Sequence, residues 1–541
     1  MTTDSAARPL DRAPVELPHK VRMRILLAVM VGVFLAALDQ TVVGTALPRI
    51  ITDLRGNDLY TWAITAYLLT STISGPVYGK LSDLFGRRPI FLFGVGTFMV
   101  GSLLCGLSSE MWQLILFRGI QGLGAGALFP IALAVIGDLF APSERGRYQG
   151  LFGAVFGVSI LIGPAIGGII TDTIGWHWVF FVNLPVGAFV LFMVWRYLPS
   201  YHLGTDRVRI DYVGAVLFAA ALVPILVGLT NLGTGNLSDV NVGGYIAAGL
   251  LVLIGFILWE SRAAEPIVPL SLFRMRTFTL SVMSVFLAAF GFFAAVVFLP
   301  RWFQVVIGSS ATESGYQILP LLGGLIFSAI MSGQIVARTG RYKWMTFGAL
   351  VVMALGLFLL STMTRDTPVP QLWLYMLITG LGVGPTFAVF TLIVQNSVAI
   401  SQLGTATANL TFFQQVGGTV GLAITGSIFA SSLRDQVPTQ LLAADLPPEV
   451  TGAIASGGLD ANLFTSVGDL EGKILGSLPA DVRALFEPHI GAIVEAIYRA
   501  FSIATANTFT LGIVTALVAA GLVSLLKERK LELVEGAPPM G

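Results

Sequence analysis

Two oppositely charged side chains interrupt apolar stretches of this sequence. Asp39 lies in the run 25–46 and Arg118 in the run 112–135. A charge at the centre of a bilayer costs about 2.5–3.5 kcal/mol and usually faces a wet cavity or a partner. Burial favours the neutral form of a carboxyl group, whereas a nearby guanidinium favours its charged form. We therefore predict that Asp39 loads and releases a proton and that Arg118 tunes its affinity; a purely structural ion pair is the alternative.

The positions of these two residues along their segments place them at the same depth. Asp39 is seven residues (46 − 39) from the outer end of its segment, or about 10 Å. Arg118 is six residues (118 − 112) from the outer end of its own, or about 9 Å. A direct contact between the two side chains is therefore geometrically possible.

The composition is that of an integral membrane protein. Of 541 residues, 55% are hydrophobic and 11% are charged, against roughly 25% charged in an ordinary soluble domain. The net charge of +1 gives no sign of nucleic-acid binding. The single cysteine, Cys105, excludes an intrachain disulfide and a cysteine metal cluster. We expect no metal and no cofactor.

Apolar segments long enough to cross about 30 Å of hydrocarbon recur along almost the whole chain. Fourteen spans are predicted, at 25–46, 60–80, 90–107, 112–135, 150–171, 178–197, 211–230, 243–259, 278–299, 313–335, 344–361, 371–394, 405–432 and 501–526. With a cytoplasmic N-terminus, most of the 31 Lys and Arg residues fall in cytoplasmic loops and tails, as the positive-inside rule requires. Both termini are therefore predicted to be cytoplasmic, and the first span is predicted to be retained.

The chain also repeats itself. The segment Gly122–Phe129 matches Gly380–Phe387, 258 residues later (380 − 122), and a weaker echo links Gly79–Arg87 to Gly333–Arg341. Two related halves of this kind usually enclose a central site near the bilayer midplane. The predicted all-α organisation is a cytoplasmic tail 1–24, a six-helix half 25–200, an inserted helix pair within 201–275, a second six-helix half 276–526, and a tail 527–541.

The segment 433–500 is an unusually long and acidic outer loop within the second half. Pro-rich starts and helical apolar spacing predict short amphipathic helices that lie over the outer mouth. A pure spacer is the alternative.

Two further segments have patterns that packing alone leaves partly unexplained. The cytoplasmic segment Gly79–Arg88 places an acid among basic residues, and Asp83 could cap a helix or pair with Arg across the halves. Such pairs are expected to lie at the surface and to be weak, below about 1 kcal/mol each.

In the fifth span, small residues form a stripe that suits close helix packing, and Pro164 predicts a kink.

These residues resemble the signatures of a known family. Gly79–Arg88 resembles the cytoplasmic signature of the major facilitator superfamily, while Leu116–Gly122 and Gly163–Gly168 resemble two more, the latter associated with antiporters. Leu38–Pro48 and Trp178–Gly187 are similar to first-span and sixth-span motifs of the fourteen-span drug:proton antiporters. Departures are His177, where that branch often has Arg, and Ala337 in place of Asp in the second-half echo.

The resemblance implies a proton-coupled exporter of drugs or other toxic amphiphiles in the major facilitator fold. It assigns proton coupling to Asp39 and Arg118. It assigns an interdomain latch to Asp83 within the signature that holds Gly79, Gly86, Arg87 and Arg88, and an antiporter motif to Gly163, Pro164, Gly167 and Gly168. Asp138, on the same membrane face, is the candidate partner of the latch, and Gly157 of the small-residue stripe is added to the antiporter motif.

The second half offers no acidic residue well inside a span between 278 and 526. A desolvated cation is costly to leave unpaired, so we predict a preference for neutral, zwitterionic or weakly acidic lipophiles over dications. Gln414 lies about 15 Å into its span, near the midplane. The full set of candidate cavity residues is Trp62, Tyr67, Asn409, Phe412, Gln414 and Gln415.

Other classes of protein fit less well. The phosphate-binding pattern of ATP-driven pumps is missing, and the four histidines are too scattered to form a catalytic cluster, so an enzyme is not expected. A dedicated exporter of one endogenous compound, such as a lipid, a siderophore or a self-made antibiotic, remains open. We expect a monomer in the plasma membrane whose partners are the lipid bilayer, protons and small lipophilic substrates.

Overall fold

The computed structural model describes residues 17–54, 60–199, 211–232, 237–399, 402–444, 446–447, 450, 470–477, 483 and 485–528. These residues form helices and connecting turns, without a β-strand among them. The helices of the first half are α1 (His19–Leu54), α2 (Tyr60–Phe85), α3 (Arg87–Gly106), α4 (Met111–Leu139), α5 (Pro142–Thr173), α6 (His177–Phe181) and α7 (Asn183–Tyr197). The pair predicted to be an insertion, called the inserted pair below, is α8 (Tyr212–Asn231) and α9 (Tyr245–Glu260), the latter preceded by a π-helical turn at Val240–Gly244.

The second half begins with the short α10 (Leu270–Arg274). It continues with α11 (Arg276–Val306), α12 (Ala311–Gln317), α13 (Leu319–Thr339), α14 (Lys343–Ser361), α15 (Val369–Ser397), α16 (Leu403–Leu442), α17 (Leu470–Ser477) and α18 (Ile490–Ser524). A capping box between Ser310 and Glu313 starts α12, and the backbone N–H of Ser310 lowers the pKa of the exposed Glu313 carboxyl group.

Twelve helical segments in the described part of the chain are long and apolar enough to cross a membrane. Helices α2 and α5 are long, at 26 and 32 residues, but are not among the twelve. Both carry many small and polar residues, and each packs against the opposite half, α2 on α16 and α5 on α13. The all-helical fold is confirmed, and the count of fourteen spans stays a prediction.

The glycine repeat occupies equivalent helix crossings in the two halves. Close approach to neighbouring backbone explains each glycine, since an added Cβ would collide with the facing helix. Gly122 and Gly126 of α4 face α2 and Gly124 faces α3, whereas Gly380 and Gly384 of α15 face α13 and Gly382 faces α14. The sequence repeat therefore corresponds to a repeated packing of three helices.

The weaker echo also has a structural counterpart. Gly86 ends α2 with φ 92°, and Gly340, 254 residues later (340 − 86), ends α13 with φ 66°. Glycine adopts this left-handed region without steric cost. A glycine with positive φ therefore ends both α2 and α13, although ψ differs between the two, at 156° for Gly86 and 3° for Gly340.

The inserted pair lies against the seam between the two halves. Helix α8 contacts both α2 and α16, and the rings of Phe218 and Phe412 lie 5.2 Å apart. Ile73 of α2 and Phe256 of α9 belong to the same apolar cluster. The Nζ atom of Lys80 also pairs with Glu265 at 2.6 Å, which ties α2 to the segment after α9.

Two long helices project on the predicted outer side. Helix α16 runs ten residues past its predicted end at 432 (442 − 432), and α18 begins eleven residues before its predicted start at 501 (501 − 490). Their projecting parts share an apolar core that includes Leu441, Ile493 and Ile474 of α17. Short helices in the loop 433–500 are thus present among the described residues, and their position over the outer mouth stays a prediction.

Candidate functional site

The predicted pair of intramembrane charges forms a direct contact. Nη1 of Arg118 donates to Oδ2 of Asp39 at 2.5 Å, and the two side chains are 2% and 0% exposed. Helix α1 extends further than predicted, to Leu54, but its apolar span ends at Leu47, eight residues after Asp39 (47 − 39). Arg118 lies seven residues after Met111 (118 − 111), so α1 and α4 bring the charges together at matching depths.

Two amides complete the surroundings of the carboxylate. Gln121 Nε2 and Asn183 Nδ2 each donate to Oδ1 of Asp39 at 2.8 Å. Three N–H donors therefore face one carboxyl group, and such donors stabilise the charged form. Asp39, Arg118, Gln121, Asn183 and Tyr67 are hereafter called the Asp39 cluster.

Arg118 has partners other than Asp39. Its guanidinium carbon lies 4.1 Å from the ring centroid of Tyr67, which is fully buried. Its Nη1 donates to Gln121 Oε1 at 2.8 Å and its Nε to the carbonyl oxygen of Ala63 at 3.3 Å. Tyr67 therefore contacts the charge pair itself, and Arg118 has stabilising contacts that do not involve Asp39.

The fifth-span glycines bring α5 against α1 next to the Asp39 cluster. A Cβ on Gly163 would collide with Thr41, and one on Gly167 would crowd Val42. Thr41 Oγ1 also donates to the carbonyl oxygen of Ser159 at 3.1 Å.

The other glycines of this motif lie in different surroundings. Gly157 faces Ile326 of α13 in the opposite half, whereas Gly168 has open space. Pro164 lies within α5, but its side chain, and the predicted kink, lie outside what the structure describes.

At the predicted cytoplasmic side, Asp83 of the first half caps a helix of the second. Oδ1 of Asp83 accepts from the backbone N–H of Gly404 at 2.9 Å, and Oδ2 accepts from both N and Oγ1 of Thr405 at 2.6 Å. The free N–H groups and the positive dipole end of α16 thus receive a carboxylate from across the seam.

Arg87 holds Asp83 in place from within the first half. Arg87 Nη1 pairs with Asp83 Oδ1 at 2.5 Å, and its Nε pairs with Asp138 Oδ2 at 2.8 Å. All three side chains are buried, so the expected weak surface pairs are a buried network. Gly79 packs against Gly404, while Arg88 is half-buried at the start of α3.

Further polar contacts close the seam at this side. Gln149 Nε2 donates to Gln395 Oε1 at 2.8 Å, and Arg145 Nη1 donates to Asn396 Oδ1 at 3.3 Å. These residues lie near the helix ends on the predicted cytoplasmic side, as Asp83 does. The halves are thus held together on the predicted cytoplasmic side.

The remaining cavity candidates lie mainly along α16. Gln415 accepts from Thr72 of α2 at 2.9 Å, and Gln414 beside it is half-buried. Asn409 is fully buried, donates to the carbonyl oxygen of Thr405, and leaves its Oδ1 without a hydrogen bond. Phe412 faces the inserted pair, and Trp62 of α2 is 37% exposed. Gln415 and Phe412 thus lie at the seam with α2 and α8.

The sequence did not identify every buried polar residue as a candidate. Of the four buried acidic side chains in the described part, Asp39, Asp83 and Asp138 were candidates, whereas Glu260 was not. Glu260 ends α9, where Oε1 accepts from the N–H of Val268 at 2.5 Å. The contact of Gln121 with the charge pair could have been predicted, since Gln121 follows Arg118 by three residues and lies on the same helix face. The contact of Asn183 could not, because Asn183 is a single amide in an apolar stretch.

The matched family region contains the Asp39 cluster and the Asp83 network. The sequence model of the Major Facilitator Superfamily matches residues 29–422. The chain belongs to this family. It is a multi-pass membrane protein that sits in the bilayer and moves small substrates, as the resemblance implied.

Relatives within the superfamily are named as a multidrug transporter and as a resistance and export protein. The chain is 37% identical over 479 residues to the multidrug transporter protein MdtP of Bacillus subtilis, with 88% of each chain covered. It is 33% identical to the tetracenomycin C resistance and export protein of Streptomyces glaucescens, covering 95% of this chain and 93% of that one. A solved proton:xylose symporter of the superfamily shares the fold, with a TM-score of 0.57, 14% identity and 95% and 98% coverage.

Proposed function

We propose that this chain is a proton-coupled antiporter that exports small lipophilic molecules across the plasma membrane as a monomer with cytoplasmic termini. The observation that carries the proposal is the buried contact between Asp39 and Arg118 inside apolar spans. A carboxyl group in such a place can change its charge in response to a moving cation. The name of the Streptomyces relative, a resistance and export protein, supports the direction of transport.

Proton loading would redistribute the contacts of Arg118. A proton on Asp39 removes the charge that attracts the guanidinium, and Arg118 then keeps its contacts with Tyr67, Gln121 and Ala63. The two protonation states thus favour two positions of α4 relative to α1. One net charge per cycle would supply about 2.3 kcal/mol per 100 mV.

The network around Asp83 suits a seam that opens repeatedly. The ion pairs of Asp83 with Arg87, and of Arg87 with Asp138, lie entirely within the first half. In this network, the contacts across the seam are the hydrogen bonds from α16 to Asp83. Opening therefore exposes N–H groups to water but leaves the charges paired, which avoids the cost of breaking a buried ion pair.

The distribution of buried acids supports a preference for neutral or weakly charged substrates. In the described part of the second half, from α10 to α18, no acidic side chain is buried. The charge of Asp39 is already paired with Arg118, and two amides also donate to the carboxylate. A dication entering from the membrane would find no free buried carboxylate to receive its charge.

Everted membrane vesicles provide the test. We expect pH-driven uptake of neutral chloramphenicol and zwitterionic norfloxacin, weak uptake of the dication pentamidine, and loss of pH-driven uptake for Asp39→Asn. Both sides of the membrane would be followed with pH indicators. Pentamidine uptake equal to that of the neutral probes contradicts the substrate preference, and pH-driven uptake by Asp39→Asn contradicts the coupling.

A dedicated exporter is the second candidate. Its supporting observation is the likeness to a relative named for resistance to, and export of, one compound, tetracenomycin C. The same vesicle panel separates the two candidates. Uptake of several unrelated lipophiles favours multidrug export, whereas uptake of none of them favours the dedicated exporter.

A further inference from the structure

We propose that Asn183, oriented by Ser102, is a positioning residue that fixes Oδ1 of Asp39 and leaves Oδ2 as the atom that receives the proton. The inference rests on the proposed proton coupling at Asp39 and adds the sixth span to it. Asn183 begins α7, and Ser102 lies in α3. Both side chains are buried, at 1% and 0% exposed.

The two oxygens of Asp39 are not equivalent. A carboxylate oxygen offers about two acceptor sites. Oδ1 accepts from Gln121 and from Asn183, so both of its sites are used. Among the described side chains, only Arg118 donates to Oδ2, which retains one acceptor site. A proton therefore binds Oδ2 beside Arg118, and its arrival directly opposes the contact that Arg118 makes.

Ser102 determines which way the amide of Asn183 points. The hydroxyl of Ser102 donates to the carbonyl oxygen of Phe180 at 2.8 Å. Its single hydrogen is then used, so Ser102 must accept from Asn183 Nδ2, which lies 2.9 Å away. The NH₂ group of Asn183 thus lies between Ser102 Oγ and Asp39 Oδ1, and a flipped amide would face Asp39 with an oxygen.

The junction between α6 and α7 supplies the anchor for Ser102. Helix α6 ends at Phe181 and α7 begins at Asn183, and Val182 between them keeps helical dihedral angles, with φ −60° and ψ −24°. The carbonyl oxygen of Phe180 accepts a backbone N–H at the end of α6 and also the hydroxyl of Ser102, since a carbonyl oxygen has two acceptor sites. The junction therefore positions both the acceptor that orients Ser102 and the amide that holds Asp39.

Few other titratable groups face Asp39. Those near it are Arg118 of α4, Tyr67 of α2 and Cys105 of α3, whose Sγ donates to Gln121 at 3.7 Å. The described charged or titratable side chains of the other packed helices lie near helix ends: Glu144, Arg145, Tyr148 and Asp172 on α5, His177 on α6, and Arg196 and Tyr197 on α7. A pH effect of Asn183 variants is thus expected to act through Asp39.

The experiment measures chloramphenicol exchange against pH in proteoliposomes. Asn183→Leu removes a donor that stabilises the charged carboxylate, so the proton is held to higher pH. We expect the pH midpoint of exchange to rise by about one unit or more. Ser102→Ala frees the amide to rotate and is expected to raise the midpoint by less. Ser281→Ala is the matched control, since Ser281 is equally buried and its hydroxyl has no hydrogen-bond partner.

Each outcome decides the inference. The inference is overturned if the pH midpoints of Asn183→Leu and Ser102→Ala equal those of the wild type and of Ser281→Ala. It is also overturned if these midpoints fall. If Asn183→Leu does not fold, the comparison of Ser102→Ala with Ser281→Ala decides alone. Asp39→Asn distinguishes failure of the proposed function from failure of the role of Asn183. If that variant retains pH-dependent exchange, the proposed function is contradicted. If it loses pH-dependent exchange while the midpoints of the Asn183 and Ser102 variants do not shift, only the role of Asn183 is contradicted.

Discussion

At the scale of single residues, the Asp39 cluster shows how a carboxylate is accommodated inside an apolar span. Its charge is balanced by Arg118 and its remaining acceptor sites are largely occupied by amides. Leaving either charge without the other inside the protein costs several kcal/mol. The pair should therefore behave as one energetic unit.

A double-mutant cycle tests that unit. Arg118→Leu alone leaves a buried, unpaired carboxylate and is expected to destabilise the protein by about 3–5 kcal/mol. Asp39→Asn combined with Arg118→Leu is expected to lose less than the sum of the single variants. Thermal unfolding of the purified protein measures the effect, and additive losses would show that the two charges do not interact.

The sequence identifies only part of this cluster. Asp39 and Arg118 stand out because charges are rare and expensive within apolar spans. Ser102 and Asn183 do not stand out, because uncharged polar residues are common in membrane helices and serve many packing roles. Their proposed role depends on the contacts of Ser102 with the carbonyl oxygen of Phe180 and with Asn183, which join α3 to the sixth span and which the apolar sequence does not reveal.

At the scale of helices, α5 and α16 carry the contacts that join the halves. Helix α5 contacts α1 through Gly163 and Gly167 and α13 through Gly157. The N-terminus of α16 is capped by Asp83 from the first half. The first feature requires small residues at the three glycine positions, and the second requires an acidic residue at position 83.

Two glycines of α5 offer a matched comparison. Gly163→Ala places a methyl group against Thr41, and we expect reduced transport and a lower melting temperature because α5 must move away from α1. Gly168→Ala meets nothing within 4 Å and should behave as the wild type. Transport assays and thermal unfolding of both variants provide the check, and equal behaviour would argue against tight packing at Gly163.

Asp83 gives a prediction about opening. In Asp83→Ala, α16 loses its cap and the seam should open more often toward the cytoplasm. In a Cys105→Ala background, Thr407→Cys, buried at the seam, should then react faster with a water-soluble maleimide in everted vesicles. Thr346→Cys, buried in α14, is the control whose rate should not change. An unchanged Thr407→Cys rate contradicts the role of Asp83 in closing the seam.

At the scale of the whole molecule, a glycine-rich crossing of three helices recurs in the two predicted halves, and the predicted inserted pair packs where α2 meets α16. The repeat could be predicted because its glycines are required wherever three helices cross closely. The contacts of Gln149 with Gln395, and of Phe412 with Phe218, could not be predicted. They join residues far apart in sequence and depend on how the halves pack in this conformation.

Substrate-driven proton flux tests proton coupling at Asp39 most directly. Proteoliposomes containing a pH indicator would receive chloramphenicol, with wild type, Asp39→Asn and Gly168→Ala compared at equal protein content. We expect substrate addition to drive proton movement in the wild type and in Gly168→Ala and to drive none in Asp39→Asn. Proton movement of equal size in Asp39→Asn would contradict proton coupling at Asp39.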